Sequence, residues 1–370
     1  MATGKVPRPF GVEEEYLLLD ETEGVPVNLA AELVRATPEL GGQTEREYFS
    51  SQLETATPVC LEGDAAEEAL TRFRRTVSRA ARSRGAVLAG TGLPPVGGDT
   101  VGRVTPKARY RLIEAEMRSA AEHQYGTGTH VHVEVPSPDA GIEVLARLAR
   151  WAPALLAMTA NSPLWCGETT GFASWRHIKG LSWPTAGYPL GFADAEEYHR
   201  SVAQLIDTGV VPDTGLLTWV ARLSNNYPTV ELRIADAQLE ARDAVSFAVI
   251  VRALVDRALS EIEERAASPH YAPGLVNGAD WMAGRNGLDS ELIDPLTAES
   301  LPAFDLIERM LGTVETEIDR FGDRERVDRY LQRLRSRGGP ASRQLEAFET
   351  AGVPGVLNLY RAASSTGSET

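Results

Sequence analysis

Only two cysteines and six histidines occur among 370 residues, and acids outnumber basic side chains 52 to 37. Cys60 and Cys166 stand far apart, without Cys-x-x-Cys or Cys/His spacing. That excludes a disulfide framework and a zinc finger, and leaves two ordinary thiols. A net charge of −15 repels polyanions, so no nucleic-acid partner is expected. No apolar run approaches the roughly 18 residues of a membrane span, and the N-terminus lacks a signal-peptide pattern. The expectation is a cytoplasmic protein with no membrane partner. No fixed-period repeat and no glycine fingerprint of a dinucleotide-binding parallel sheet is visible.

What is present begins at Gly11-Val12-Glu13-Glu14-Glu15-Tyr16-Leu17-Leu18-Leu19-Asp20. If Val12 to Leu19 is a strand, Glu13 and Glu15 share one face and Glu14 points to the other. Two like charges on one face of a buried strand require a cation, because ionised carboxylates without one are expelled or protonated. Hard divalent cations such as Mg²⁺ take oxygen ligands and bridge carboxylates to phosphates, which makes phosphate chemistry the first hypothesis.

A hydrophobic share of 43% supplies a sizeable core. A second extended run lies at Phe49 to Pro58. Apolar residues three and four apart predict a helix over Ala65 to Arg84, stopped by Gly85. A short strand over Ala86 to Gly90 and a loop over Gly92 to Gly102 follow. Arg109 to Glu122 reads as helix, Gly128 to Val135 as an alternating strand, and Gly141 to Ala160 as helix. Asn161 to Gly191, rich in glycine, proline and aromatics, reads as a long functional loop. Val230 to Ile234 is a strand, Ala241 to Arg265 a helix, and the remainder is mainly helical, most clearly over Leu301 to Ile318 and Arg324 to Arg335. Residues 1–361 are expected to form a single catalytic domain with a helical C-terminal part, and 362–370 a flexible tail. Irregular alternation of strands and helices favours an α+β fold, an antiparallel sheet covered by helices.

Acids recur at Glu47, Glu54 and Glu231, each on or beside an apolar extended run. With Glu13, Glu15 and His130 they suggest a shared multi-metal site. His130 and His132 share a strand face. Zinc would want more nitrogen or sulfur ligands, so Mg²⁺ or Mn²⁺ fits better, with His132 either a ligand or a supporting imidazole. Cations to hold phosphate and carboxylate are available at Lys107, Arg109, Arg111, Arg176, Lys179 and Arg233, although Arg233 could equally be a plain ion pair with Glu231. The loop from Ala160 to Arg176 combines glycines with aromatic walls, suited to closing over substrate and excluding water.

Gly11-Val12-Glu13-Glu14-Glu15, Gln52-Leu53-Glu54-Thr55-Ala56-Thr57-Pro58, Gly128-Thr129-His130-Val131-His132-Val133, Asn161-Ser162-Pro163 and Glu231-Leu232-Arg233-Ile234-Ala235-Asp236-Ala237-Gln238 together resemble the glutamate-cysteine ligase type 2 family of carboxylate-amine ligases. The resemblance is ordered along residues 8 to 260. It implies a core similar to that of glutamine synthetase and the guanidino kinases, a curved antiparallel sheet with a concave active-site face and helices behind it. By the same resemblance Glu13, His130 and Glu231 are ligands of one Mg²⁺, and Glu15, Glu47 and Glu54 of one or two more, two or three ions in all. Arg233 stands beside the transferred phosphoryl group as a catalytic residue, with Arg176. Arg109, Lys107, Arg176, Lys179 and Asn161 bind substrate or ATP.

The implied reaction passes the γ-phosphoryl of ATP to a carboxylate, that of glutamate in this family. A bound amine then attacks the acyl phosphate, leaving an amide. A homodimer is the expected assembly. Two alternatives stay open on the residues alone: a metal-dependent hydrolase built on His130, His132 and the acids, and a non-catalytic binder of amino acid or nucleotide.

Overall fold

The computed structural model describes residues 7–189 and 191–365. Its centre is a seven-stranded sheet in the order β2-β3-β1-β5-β9-β8, with β4 paired to the far end of β1. The strands are β1 (Phe10–Asp20), β2 (Thr44–Arg46), β3 (Gln52–Ala56), β4 (Ala86–Ala89), β5 (Gly128–Glu134), β8 (Ala221–Leu223) and β9 (Thr229–Asp236). Two hairpins lie outside it, β6 (Leu164–Trp165) with β7 (Glu168–Thr169), and β10 (Glu291–Asp294) with β11 (Glu299–Pro302). Every pairing between these strands is antiparallel. The α+β expectation holds.

Alternation along β1 decides which side of the sheet is which. Glu14 points away from Glu13 and Glu15 and meets Arg74, with Oε1 2.6 Å from Nη2 and both side chains buried. Arg74 belongs to the Gly63–Arg82 helix, whose Phe73 and Val77 pack against Tyr16, Leu18 and Leu53 on that same face. The Ala241–Glu263 helix also covers this side, in one apolar core with Val12, Val131, Val133 and Leu232. Helices therefore seal one face, and the other is left for polar chemistry.

Several boundaries differ from the sequence reading. The extended run at Phe49 to Pro58 is shorter, since a turn at Phe49–Ser51 separates β2 from β3. The helix expected over Gly141 to Ala160 is two, Pro138–Leu148 and Ala152–Thr159, with Pro153 opening the second. The Asn161–Gly191 loop contains the β6–β7 hairpin and a short helix, Trp175–Gly180. Residues 362–365, expected in a flexible tail, belong to the Pro340–Ser365 helix, and Ala363 and Ser364 are buried. Leu190 of the loop and 366–370 of the tail lie outside the described residues.

Candidate active site

Strand register assembles the polar face. Across β1 and β3 Glu15 stands opposite Glu54, across β1 and β5 Glu13 stands opposite His130, and across β5 and β9 His132 stands opposite Glu231. Residues directly opposite in an antiparallel ladder share a face, so six side chains from four strands meet. Ligand atoms of Glu13, Glu54 and His130 lie within 4.8 Å of one another, as do those of Glu13, His132 and Glu231. Glu231 therefore groups with His132, whereas the resemblance pairs it with His130.

The unperturbed chemistry of this face is unfavourable without a cation. Burial raises the Glu15 carboxyl to about 7, helped by the charge of Glu47. Burial and repulsion from Glu47, Glu15 and Glu13 push Glu54 well above the carboxylate range. Burial also raises Glu47, whose Oε2 accepts from the Tyr110 hydroxyl at 3.0 Å. Glu13 moves the other way: burial is outweighed by His130 and His132, and its carboxyl is held well below its ordinary value. The buried Nε2 atoms of both histidines have no hydrogen-bond partner among the described residues. His132 Nε2 is 3.3 Å from Glu13 Oε1 without hydrogen-bond geometry. Orphan imidazole nitrogens facing crowded carboxylates are the donor set of a hard or borderline divalent cation. The residues fit Mg²⁺ or Mn²⁺.

Burial and the nearby Arg233 guanidinium lower His130 to about 4, so its imidazole is neutral at pH 7. Arg233 Nη1 lies 3.3 Å from His130 Nδ1 and also donates to Glu231. The ion pair considered for Arg233 and Glu231 is formed. Glu231 has a second partner that the sequence reading missed, Arg222 of β8, at 2.7 and 3.2 Å. Burial is outweighed by Arg233 and Arg222, and Glu231 stays ionised. The available signal was an arginine flanked by apolar residues in Ala221-Arg222-Leu223.

A cavity of about 220 Å³ adjoins the cluster, lined by Glu15, Glu47, His130, Arg109, Arg176, Lys179 and Arg233. Arg109 is held bidentate by Asp213 at 2.9 and 3.0 Å. The Lys179 ammonium sits 4.4 Å over the Trp165 ring. Two candidates lie elsewhere. Lys107 donates to the Arg46 carbonyl at 2.8 Å. Asn161 is fully buried and donates to the carbonyls of Gly90 and Ala237 at 2.9 and 2.6 Å, which makes it a structural tie between loop and sheet. Arg111 is not among the cavity-lining residues either. A larger groove of about 1330 Å³ runs along the Gly63–Arg82 helix but holds none of the clustered acids and histidines, so size does not locate the chemistry.

The structure resembles a crystal structure of glutamate–cysteine ligase from Francisella tularensis in complex with AMP, with TM-score 0.71 and 12% identity over 97% of this chain and 89% of that one. It also resembles a bifunctional glutathione synthetase from Pasteurella multocida, with TM-score 0.69 and 15% identity over 97% of this chain and 52% of that one. Identities this low compare folds alone, and the fold is shared with both. In sequence, the model of glutamate-cysteine ligase family 2 matches residues 9–362, and the chain belongs to this family. A candidate glutamate–cysteine ligase 2-2 of Mycolicibacterium vanbaalenii is 39% identical over 341 residues, 92% of this chain and 93% of that protein. A candidate glutamate–cysteine ligase 2 of Rhodopirellula baltica is 34% identical over 349 residues, 93% and 94% respectively. The protein is thus an enzyme of the carboxylate–amine ligase class, forming carbon–nitrogen bonds. No helix among the described residues is long and apolar enough to cross a membrane.

Proposed function

We propose that the protein joins a carboxylate, that of glutamate, to an amine at the expense of ATP through an acyl phosphate. The observation that carries this reading is the convergence of Glu13, Glu54 and His130, and of Glu13, His132 and Glu231, beside a cavity walled by cations. In it Glu13, Glu54, His130, His132 and Glu231, with Glu15 and Glu47 alongside, hold two or three Mg²⁺ ions. Bound there, Mg²⁺ neutralises the charge of the triphosphate and of these acids.

Arg233 presents a guanidinium to the oxygens of the phosphoryl group in transfer, and Arg176 holds the donor carboxylate or a phosphate. Lys179 and Arg109 bind substrate or ATP from the cavity wall. The carboxylate oxygen attacks the γ-phosphorus, ADP leaves, and the amine nitrogen then displaces phosphate from the acyl carbon. The loop bearing Trp165, Trp175 and Trp183 keeps water from the acyl phosphate. The sheet and its helices, the Pro340–Ser365 helix included, act as one catalytic domain, in a cytoplasmic homodimer.

The test is ATP consumption with glutamate, Mg²⁺ and a panel of amines, read by mass spectrometry for the condensed product. Amine-dependent ADP release is the expected result. Turnover without ATP, with stoichiometric zinc in the purified protein, would point to the hydrolase alternative instead.

A further inference from the structure

Three chain segments converge on Asp236 at the end of β9. Its Oδ2 accepts the Asn161 backbone N–H at 2.8 Å and the Ser162 hydroxyl at 2.7 Å. Its Oδ1 accepts the Ser174 hydroxyl at 2.9 Å and lies 3.6 Å from Arg176 Nη1. The carboxylate is fully buried, and Gly92 backs it so closely that a Cβ there would stand 2.6 Å from Asp236 Cγ. Each serine oxygen has a second duty. Ser162 Oγ accepts the Arg176 N–H at 3.0 Å, and Ser174 Oγ accepts the His177 N–H at 3.2 Å, capping the Trp175–Gly180 helix. Both hydroxyl protons are therefore committed to Asp236, whose two oxygens accept three hydrogen bonds; burial raises its carboxyl, and Arg176 with these donors works against that rise.

Arg176 also lies against Gly128, the cross-strand partner of Asp236. A Cβ at Gly128 would be 2.4 Å from Arg176 Nη2, so the guanidinium lies where only glycine leaves room. Nη2 also donates to the Arg233 carbonyl at 3.4 Å, and the Gly128 N–H donates to Glu15 Oε2 at 2.7 Å. Arg176, Arg233 and Glu15 are thus referenced to the adjoining backbones of β5 and β9. The remaining freedom of Arg176 is that of its own loop.

We propose that Asp236 is a positioning residue: by clamping Ser162, Ser174 and Asn161 and by offering Arg176 a counter-charge, it fixes the Arg176 guanidinium over Gly128 as the anion-binding group of the cavity. What Arg176 binds rests on the ligase reading above; the clamp itself does not. An asparagine at 236 turns an amide NH₂ toward a hydroxyl whose proton already points inward, and removes the charge that faces Arg176.

Wild type, Asp236→Asn, Ser174→Ala, Arg176→Lys and the Asp236→Asn/Arg176→Lys double variant are compared by hydrogen exchange, by calorimetric titration with glutamate and Mg-ATP, and by steady-state kinetics. Amide exchange at Ser162 and from Ser174 to Ile178 should rise about tenfold in Asp236→Asn, and less in Ser174→Ala. The KM for glutamate or for ATP should rise about tenfold with a smaller change in kcat, and the double variant should be no worse than its worse parent. Unaltered exchange in both Asp236→Asn and Ser174→Ala overturns the proposal. So do unaltered KM values for both substrates, or losses that multiply fully in the double variant. If wild type releases no ADP with any amine, the ligase reading falls. Exchange alone then still decides the clamp, which fails if Asp236→Asn and Ser174→Ala both match wild type.

Discussion

Glu15 and Glu54 stand directly opposite each other across β1 and β3, two carboxylates on one face, each with its carboxyl pushed up by burial and by the charge of Glu47. Glu54→Gln removes one of these charges. Without metal the variant should be as stable as wild type or more so, and the difference should widen as pH rises above the ordinary carboxylate value of 4.5. The sign follows from linkage: a carboxyl raised by folding keeps a proton that the unfolded chain has released, so its contribution falls with rising pH. Turnover should drop by at least on the order of 10²-fold. Thermal melts from pH 5 to 8, with and without Mg²⁺, and ADP release check both halves. Near-normal activity would rule out the metal cage.

One residue along the chain, the outcome reverses. Glu14 pairs with Arg74 on the helix-covered face at 2.6 Å, where neither side chain meets solvent. Glu14→Gln leaves a buried guanidinium without its carboxylate and should cost about 3–5 kcal/mol. Glu13→Gln should cost turnover instead. Urea denaturation of the two variants side by side separates them.

Arg222 orients Glu231 from β8 at 2.7 Å. Replacing it by methionine keeps the packing of the stem and removes the fork, and should weaken Mg²⁺ or Mn²⁺ binding by about 10–100-fold. Calorimetric titration of metal-free protein measures this; unchanged affinity would remove Glu231 from the ligand set.

Lys107 and Asn161 have roles set by their hydrogen bonds to backbone carbonyls. Lys107→Ala should leave KM for ATP and glutamate within about twofold, because its ammonium does not reach the cavity. Asn161→Ala should cost about 1–3 kcal/mol of stability from the stranded carbonyls. A large KM effect of Lys107→Ala would return that residue to the site.

Asp280 is buried, neither of its oxygens has a hydrogen-bond partner among the described residues, and burial raises its carboxyl well above 3.8. Above that pH the unfolded chain gives up a proton that the folded protein retains, and stability declines. Asp280→Asn does not titrate, so its advantage over wild type should be absent below about pH 4 and reach about 1–3 kcal/mol by pH 8. Equal urea midpoints at pH 8 would contradict this.

Local pattern carried much of this. The period-two alternation of β1 and β5 separates Glu13, Glu15, His130 and His132 from Glu14 and Val131 before any coordinate is known, because a strand has only two faces. The three-and-four spacing around Phe73 and Val77 marks a helix for the same kind of reason. Where the reading slipped, a contact distant in sequence had decided the matter. Asn161 carries an ordinary polar side chain, and only the closeness of Gly90 and Ala237 makes it a structural tie.

The sequence by itself determined the chemical inventory, the faces of the main strands and the family. Those follow from residue type and short-range period, which need no knowledge of what lies across the sheet. Tertiary structure alone decided that Glu231 groups with His132, that Arg222 and Asp236 hold their neighbours, and that Lys107 stands apart. Register between strands sets those outcomes, and register is a property of two segments at once. A one-residue slip of β9 against β5 would have turned Glu231 into the core.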